Sequence, residues 1–263
     1  MITEKNHIMT QYSRPNITLA LSRVSTTFEA QLPSLWLPTP HQQAYCISAT
    51  ISLMALNKVL NAISLDQVFP SFLAGATRQR QLTFIGGRLC AEHAAAKFNQ
   101  PNPFIFRSPD GVPIWPVGLR GSITHTENTA YAITSQSSIY KGLGIDSEWV
   151  VGDEGVNSIL SMCCTKQELS SWFKYGLHPL IATIIFSAKE AAYKAIHNIV
   201  MRYVDFTEFE VSELYLNKGW LILSPVAGSK LINIIRPLKV YFQIEDGERA
   251  CVHTVVAVSG NEY

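Results

Sequence analysis

Three short segments of the sequence concentrate side chains that could bind phosphate groups and a divalent cation. The first is Gly121–His125, which reads G-S-I-T-H. A glycine-led turn followed by hydroxyls and an imidazole offers several hydrogen-bond donors to a phosphate. The same string is also typical of an ordinary strand with an exposed histidine, and short motifs of this kind often arise by chance.

The second segment, Gly144–Glu148, places two carboxylates two positions apart. In a strand, alternate side chains point to the same face, so Asp146 and Glu148 would lie side by side. Two oxygen ligands suit Mg²⁺, which binds one or two protein carboxylates together with substrate phosphates. A solvated polar strand face would give the same pattern.

The third segment, Phe186–Ala195, reads F-S-A-K-E-A-A-Y-K-A. On a helix Glu190 and Lys194 share a face, and a surface ion pair alone would explain their spacing. The functional interpretation makes Glu190 a third carboxylate near the metal, or a base. It makes Lys189 and Lys194 partners of phosphate groups.

The elements that must position these segments form two similar halves. Hydrophobic periodicity predicts helices over Leu65–Phe98, Thr165–Tyr175 and Pro179–Val200. Residues 99–121, rich in proline and glycine, predict a loop, and Asn217–Gly219 predicts a hairpin turn. The pattern predicts strands over Ile17–Leu21, Tyr45–Leu53, Ser122–Thr124, Thr129–Thr134, Gly142–Glu148, Glu208–Leu216, Trp220–Leu223, Leu238–Ile244 and Cys251–Val258. A helix followed by strands, twice over, predicts a two-lobed α+β protein.

Bulk composition narrows the class of protein. The 263 residues are 47% hydrophobic and 16% charged, which is typical of a folded globular chain. The net charge of +1 gives no overall field that would attract nucleic acid. Five scattered cysteines without a C-x-x-C pair favour reduced thiols. The chain has no stretch of about 18 apolar residues, so we expect no membrane span.

Taken together and in order, the segments resemble those of the surfactin/enterobactin-type 4′-phosphopantetheinyl transferases. Val112–Gly118 is similar to the W-P-x-G lead-in of the enterobactin branch, and Arg80–Ala91 is similar to the arginine-bearing helix of that branch. The resemblance covers roughly residues 78–195 by motif.

The resemblance implies a pseudo-twofold, duplicated two-lobed fold in which each lobe is a long helix packed on a small antiparallel sheet. The N-terminal lobe would span residues 1–137, with a loose leader at 1–15, and the C-terminal lobe would span 138–263. The active site would lie in the cleft between them.

The resemblance also implies roles for single residues. Asp146, Glu148 and Glu190 match the metal-binding set, and Glu190 also matches the base. The residues that match the family's contacts to coenzyme A are Arg80, Arg88, Ser122, His125, Lys189 and Lys194. The residues assigned to catalysis are Glu190, Lys189 and His125. Arg80 and Arg88 would hold the 3′-phosphate, with Arg78 nearby, since arginine suits phosphate bidentately.

The implied reaction moves phosphopantetheine from coenzyme A to a serine of an apo carrier protein (peptidyl, aryl or acyl), with Mg²⁺, or Mn²⁺, as the metal. Adenosine 3′,5′-bisphosphate would leave. The family further implies a cytoplasmic monomer acting in non-ribosomal peptide, siderophore or polyketide synthesis. Where the surfactin type often has a basic residue this chain has Val112, which removes one expected contact.

Two alternatives remain open from the sequence. A catalytically inactive module that binds coenzyme A or a carrier protein would keep the fold, although an intact set of carboxylates argues against it. A metal-dependent phosphohydrolase could use the same carboxylates, but a second-metal ligand cluster is missing from the pattern.

Overall fold

A computed structural model describes residues 28–29, 46–61, 71–73, 75–100, 103–174 and 178–259. The predicted strand Ile17–Leu21 and the leader at 1–15 lie outside these residues. In the described part, two antiparallel sheets each carry a long helix, and the α+β prediction is confirmed.

The first sheet has the strand order β1-β2-β6-β5. Its strands are β1 (Phe28–Glu29), β2 (Cys46–Ser52), β5 (Leu119–His125) and β6 (Thr129–Gln136). Helix α1 (Leu53–Asn61) follows β2 directly, and helix α2 (Arg78–Ala96) packs on β2, β5 and β6. A separate ribbon pairs β3 (Phe106–Arg107) with β4 (Pro113–Ile114), and a 3-10 turn covers Ser71–Leu73.

The second sheet has the order β7-β11-β10-β9-β8. Its strands are β7 (Tyr140–Trp149), β8 (Phe209–Tyr215), β9 (Trp220–Pro225), β10 (Leu238–Glu245) and β11 (Cys251–Ser259). The helices of this half are α3 (Asp153–Cys163), α4 (Lys166–Trp172) and α5 (Pro179–Val200). Helix α5 lies across β7 and β11, as α2 lies across the first sheet.

Each sheet and its helices enclose a hydrophobic core, and a third cluster joins the two sheets. This third cluster brings Tyr131 and Ile133 of β6 against Leu143 and Ile145 of β7. Strand β5 also lies beside β7, where Ser122 Oγ accepts a hydrogen bond of 3.0 Å from the backbone N–H of Ile145. The edge strand of one sheet is thereby fixed against the edge strand of the other.

Helix α5 approaches β7 unusually closely because two glycines face it. A Cβ added at Gly144 would lie 1.8 Å from the carbonyl oxygen of Ala191, and one at Gly142 would lie 1.9 Å from that of Ala195. Any side chain at either position would push the helix off the strand. The glycine that precedes the carboxylates therefore sets the distance between them and α5.

Several predicted boundaries are corrected by the structure. Helix α2 begins at Arg78, where Thr77 accepts the backbone N–H of Arg80 and caps the helix, and the predicted start at Leu65 lies outside the described residues. The glycines inside α2 allow side chains of the neighbouring strands to pack closely against the helix. A Cβ at Gly87 would lie only 2.6 Å from Ile123 Cγ2 of β5.

Two helices were not predicted. Helix α1 begins where Ser52 Oγ accepts the backbone N–H of Ala55, and α3 begins with Asp153 and Glu154 in its first turn. Helix α5, the second-sheet strands and the hairpin turn ending at Gly219 follow the predictions, with Gly219 at φ +67°.

All five cysteines are free and buried. Among the described ranges, no helix combines the length and the apolar character needed to cross a bilayer.

Candidate active site

A cavity of about 680 Å³ opens between the two sheets and their helices. Its walls come from α2, β5 and the β3–β4 ribbon of the first half and from β7 and α5 of the second. The predicted site residues that line it are Arg80, Arg88, Ser122, His125, Asp146, Glu148, Glu190 and Lys194. Eight of the nine residues named from the sequence thus face one space, and the exception is Lys189.

Asp146 lies at the centre of the hydrogen bonding in this cavity. It is 3% exposed. Its Oδ1 accepts from Lys194 Nζ at 2.7 Å and from Thr124 Oγ1 at 3.2 Å, and its Oδ2 accepts from Ser187 Oγ at 2.9 Å. Lys194 also donates to the carbonyl oxygen of Ile145 at 3.1 Å. Asp146 of β7 is thus hydrogen-bonded both to β5 of the other half and to α5 of its own half.

Two further carboxylates of the cavity, Glu148 and Glu190, have raised pKa values. Burial first, and then the charge of Asp146, raise the pKa of Glu148 to about 7. Burial also raises the pKa of Glu190 above its usual value, although the ammonium of Lys194 opposes the shift. Partly buried carboxyl groups that repel one another are a good environment for a cation.

The predicted cluster of three metal ligands is not formed as such. Across the described part of the chain, no group of three or more His, Cys, Asp or Glu side chains is arranged to hold a metal ion. In the described structure the charged partner of Asp146 is the ammonium of Lys194, at 2.7 Å. The chemistry of the donor set still fits Mg²⁺, since Asp146 and Glu148 leave the same strand toward the same cavity.

Lys189 does not belong to this site, which corrects its predicted role at the pyrophosphate. Its side chain is 1% exposed and lies on another side of α5. There Lys189 Nζ donates to Glu168 Oε2 and to the carbonyl oxygen of Cys163 at 2.7 Å each, and to the carbonyl oxygen of Phe209 at 2.9 Å. All three donor positions of an ammonium are used, so none remains for a phosphate.

His125 enters the cavity from the end of β5. Partial burial in the wall, and then the positive charges of Lys194 and Arg80, lower its pKa below the usual value, although the residue keeps an exposed edge. A neutral imidazole can donate one hydrogen bond and accept another.

The arginines of α2 divide between two locations. Arg80 and Arg88 line the cavity, one on each of two helical turns, and the guanidinium of Arg88 stacks over Phe84 at 5.1 Å. Arg78 turns away, because it donates to Asn57 Oδ1 and Asn61 Oδ1 on α1. Arg78 is therefore not placed to bind a phosphate in this cavity.

The cavity contains residues that sequence reasoning did not name. Arg107 of β3 and the ring of Trp115 both line it. Arg107 provides a basic group near the position where Val112 lacks one. Trp115 could have been identified from the sequence, since it belongs to the W-P-x-G segment. Nothing in the spacing of the motifs indicated that Arg107 would lie beside them.

Comparison with known proteins gives two family matches that together cover both halves. Residues 69–135 match the 4′-phosphopantetheinyl transferase N-terminal domain, and residues 142–252 match the 4′-phosphopantetheinyl transferase superfamily. The boundary between the two matches falls between β6 and β7, where the chain passes from one sheet to the other.

Curated relatives match over about half of this chain. 4′-Phosphopantetheinyl transferase Npt of Nocardia iowensis is 32% identical over 53% of this chain and 62% of its own length. PptT of Mycobacterium tuberculosis is 29% identical over 56% and 65%, and enterobactin synthase component D of Salmonella typhi is 31% identical over 47% and 51%. The matches thus span half to just under two thirds of these relatives. A holo-ACP-synthase structure from Plasmodium yoelii aligns with 46% of this chain at a TM-score of 0.30 and 14% identity, too weakly to support an argument.

Proposed function

Since the chain belongs to the 4′-phosphopantetheinyl transferase superfamily, we propose that it transfers the 4′-phosphopantetheine group of coenzyme A to a serine of an apo carrier protein. The observation that carries the proposal is one cavity between the halves, which collects four carboxylates, three arginines, a lysine and two histidines. A substrate with a diphosphate and a separate 3′-phosphate needs cationic groups at both ends and a cation-binding centre between them.

In this proposal Arg80 and Arg88 bind the 3′-phosphate of coenzyme A. Ser122 and His125 bind the diphosphate by hydrogen bonds, and Lys194 binds it by charge. The hydroxyl of Ser122 accepts from Ile145 N–H and so keeps its own proton available for a phosphate oxygen. Lys194 would leave Asp146 as it turns to the phosphate, because a cation bound at Asp146 would repel its ammonium.

Mg²⁺, or Mn²⁺, would be held by Asp146, Glu148 and Glu190 together with phosphate oxygens. When bound, it neutralises the negative charge of the diphosphate during transfer. The protein's own groups position the diphosphate and receive the proton. The carrier serine forms a bond to the phosphorus that bears pantetheine, the bond to the adenosine 3′,5′-bisphosphate oxygen breaks, and the serine proton passes to Glu190, directly or through water.

We further propose that residues 1–137 and 138–263 form the two lobes. Support comes from β6, which ends at Gln136 in the first sheet, and β7, which begins at Tyr140 in the second. A monomer suffices, because one chain supplies all the described walls of the cavity. Buried free thiols are compatible with a reducing cytoplasm. The likeness to enterobactin synthase component D favours carriers of siderophore or other non-ribosomal peptide synthesis.

Mass spectrometry of apo carrier proteins tests the proposal directly. A panel of peptidyl, aryl and acyl carriers is incubated with the purified protein, coenzyme A and Mg²⁺. We expect at least one carrier to gain the mass of one phosphopantetheine, and its serine-to-alanine variant to gain none. If no carrier gains mass, the protein is an inactive binding module; if phosphoesters release inorganic phosphate instead, it is a phosphohydrolase.

Arg80→Ala should weaken binding of coenzyme A by about tenfold to a hundredfold, because one bidentate contact to a phosphate is lost. Binding of dephospho-coenzyme A, which lacks the 3′-phosphate, should change much less. Calorimetric titration of both ligands measures the difference, and Arg88→Ala should behave similarly.

Arg78→Ala is the matched control for that experiment. It removes an arginine two positions away that contacts Asn57 and Asn61 rather than the cavity. Its affinity for both ligands should equal that of the unaltered protein. Equal losses for the two ligands in Arg80→Ala would contradict the 3′-phosphate assignment.

A further inference from the structure

The Asp146 carboxylate is held in place by buried hydroxyl groups that neither sequence motifs nor the proposed reaction assign. Ser187 and Thr254 are both fully buried, at 0% exposure. Ser187 Oγ donates to Asp146 Oδ2 at 2.9 Å, and Thr254 Oγ1 lies 2.9 Å from Ser187 Oγ. Thr254 Oγ1 also donates to the backbone carbonyl oxygen of Ser187 at 2.9 Å.

The directions of these hydrogen bonds follow from counting protons. Each hydroxyl has one proton. An ionised carboxylate only accepts, so the proton of Ser187 points to Asp146. The proton of Thr254 must then point to Ser187, at its carbonyl oxygen or its hydroxyl oxygen. Thr254 consequently fixes the rotamer of Ser187, and Ser187 fixes one oxygen of the carboxylate.

The fold brings these three residues together from distant parts of the chain. Thr254 lies directly opposite Asp146 in the antiparallel pair β7–β11. Ser187 lies on α5 one turn before Glu190, on the side of the helix that faces the strand, where the glycines of β7 allow close approach. Strands β7 and β11 and helix α5 are thus linked by hydrogen bonds around the Asp146 carboxylate.

These hydrogen bonds orient the Asp146 carboxylate and leave part of it available to bind a cation. A carboxylate has about four lone-pair positions. Among the described residues, Ser187, Thr124 and Lys194 take three of them, and Lys194 is the one donor that the proposed reaction moves to a phosphate. The two remaining hydroxyl donors keep the carboxylate oriented after Lys194 has moved. Groups behind a metal ligand often contribute to affinity in this way.

We infer that Ser187 and Thr254 are positioning residues for metal binding, acting through Asp146. The inference rests on the proposed function, because it needs a divalent cation at Asp146. A purely structural role would change stability but would not change metal affinity in the folded protein, so metal affinity is the quantity to measure.

The experiment titrates Mn²⁺ into protein with coenzyme A and without carrier protein, so that no turnover occurs. Electron paramagnetic resonance reports free Mn²⁺. We expect Ser187→Ala and Thr254→Val to weaken Mn²⁺ binding by about tenfold or more. Thr254→Ser keeps the hydroxyl and should bind within about twofold of the unaltered protein, a difference of about 0.4 kcal/mol.

Thr134→Val is the matched control. Thr134 is also a fully buried strand threonine, and its hydroxyl has no hydrogen-bond partner within the described residues. The same isosteric change there should leave Mn²⁺ affinity unaltered. Circular dichroism at the titration temperature checks that each variant is folded.

The outcomes separate this inference from the proposed function. If the unaltered protein binds no Mn²⁺ with coenzyme A present, the proposed metal site fails and this inference fails with it. If it binds but Thr254→Val matches Thr134→Val, the inference alone is overturned. Should Ser187→Ala not fold, the comparison of Thr254→Val with Thr254→Ser still decides, and equal losses in those two would contradict a role for the hydroxyl.

Discussion

Asp146→Asn should lower the rate of phosphopantetheine transfer by about a thousandfold while the protein remains folded. The change removes the negative charge that would bind the cation and keeps the size of the side chain. Several kcal/mol of transition-state stabilisation come from such a cation, and each 1.36 kcal/mol corresponds to a tenfold change in rate. The amide oxygen can still accept from Ser187 or Thr124, so the local structure retains a hydrogen-bond acceptor.

The measurement is the initial rate of carrier modification at saturating coenzyme A and over a wide range of Mg²⁺. Asp153→Asn is the matched control, since it neutralises an exposed aspartate in the first turn of α3, away from the cavity. Its rate should be unchanged. Retention of full activity in Asp146→Asn at saturating Mg²⁺ would remove Asp146 from the proposed metal site.

Helical geometry explains why the third motif was interpreted only partly correctly from the sequence. Residues advance by about 100° around a helix at each position. Ser187, Glu190 and Lys194 therefore fall on one side, which is the side that meets β7 and the cavity. Lys189 lies about 200° from Ser187 and must face elsewhere. The family resemblance assigned Lys189 to the pyrophosphate and Glu190 to the metal site, whereas helical periodicity puts the two residues on different faces.

Other parts of the site were accessible from the sequence because they depend on local pattern. The alternation of β7 predicted that Asp146 and Glu148 share a face, and both line the cavity. The hydroxyl of Thr254 could not be placed in the same way. Its position depends on the register of β11 against β7, a pairing of strands about 100 residues apart that local pattern does not determine.

The ion pair of Lys194 with Asp146 shows the same limit. The spacing of Glu190 and Lys194 favoured a bond within the helix. The described structure instead directs Lys194 across to the strand, because close packing at Gly144 brings β7 within reach of α5. Tertiary contact therefore changed the partner of a lysine whose position on the helix had been predicted.

Lys189→Met should destabilise the protein by about 3–5 kcal/mol, because it leaves the buried carboxylate of Glu168 without its positive partner. Both side chains are almost inaccessible, at 1% and 0% exposure. For a protein of this size the loss corresponds to a fall in melting temperature of roughly 6–20 °C. Urea unfolding, followed by circular dichroism, measures the change.

A second substitution distinguishes a structural lysine from a phosphate ligand. Glu168 also accepts from the backbone N–H groups of Thr165 and Val211, and Glu168→Gln keeps an oxygen acceptor for one of them while it removes the charge. The double variant Lys189→Met/Glu168→Gln should therefore recover part of the lost stability, since no unpaired charge stays buried. Folded Lys189→Met should also bind coenzyme A with unchanged affinity. A stable Lys189→Met protein that binds coenzyme A weakly would instead return this lysine to the phosphate site, and would show that its three hydrogen bonds on the far side of α5 contribute little.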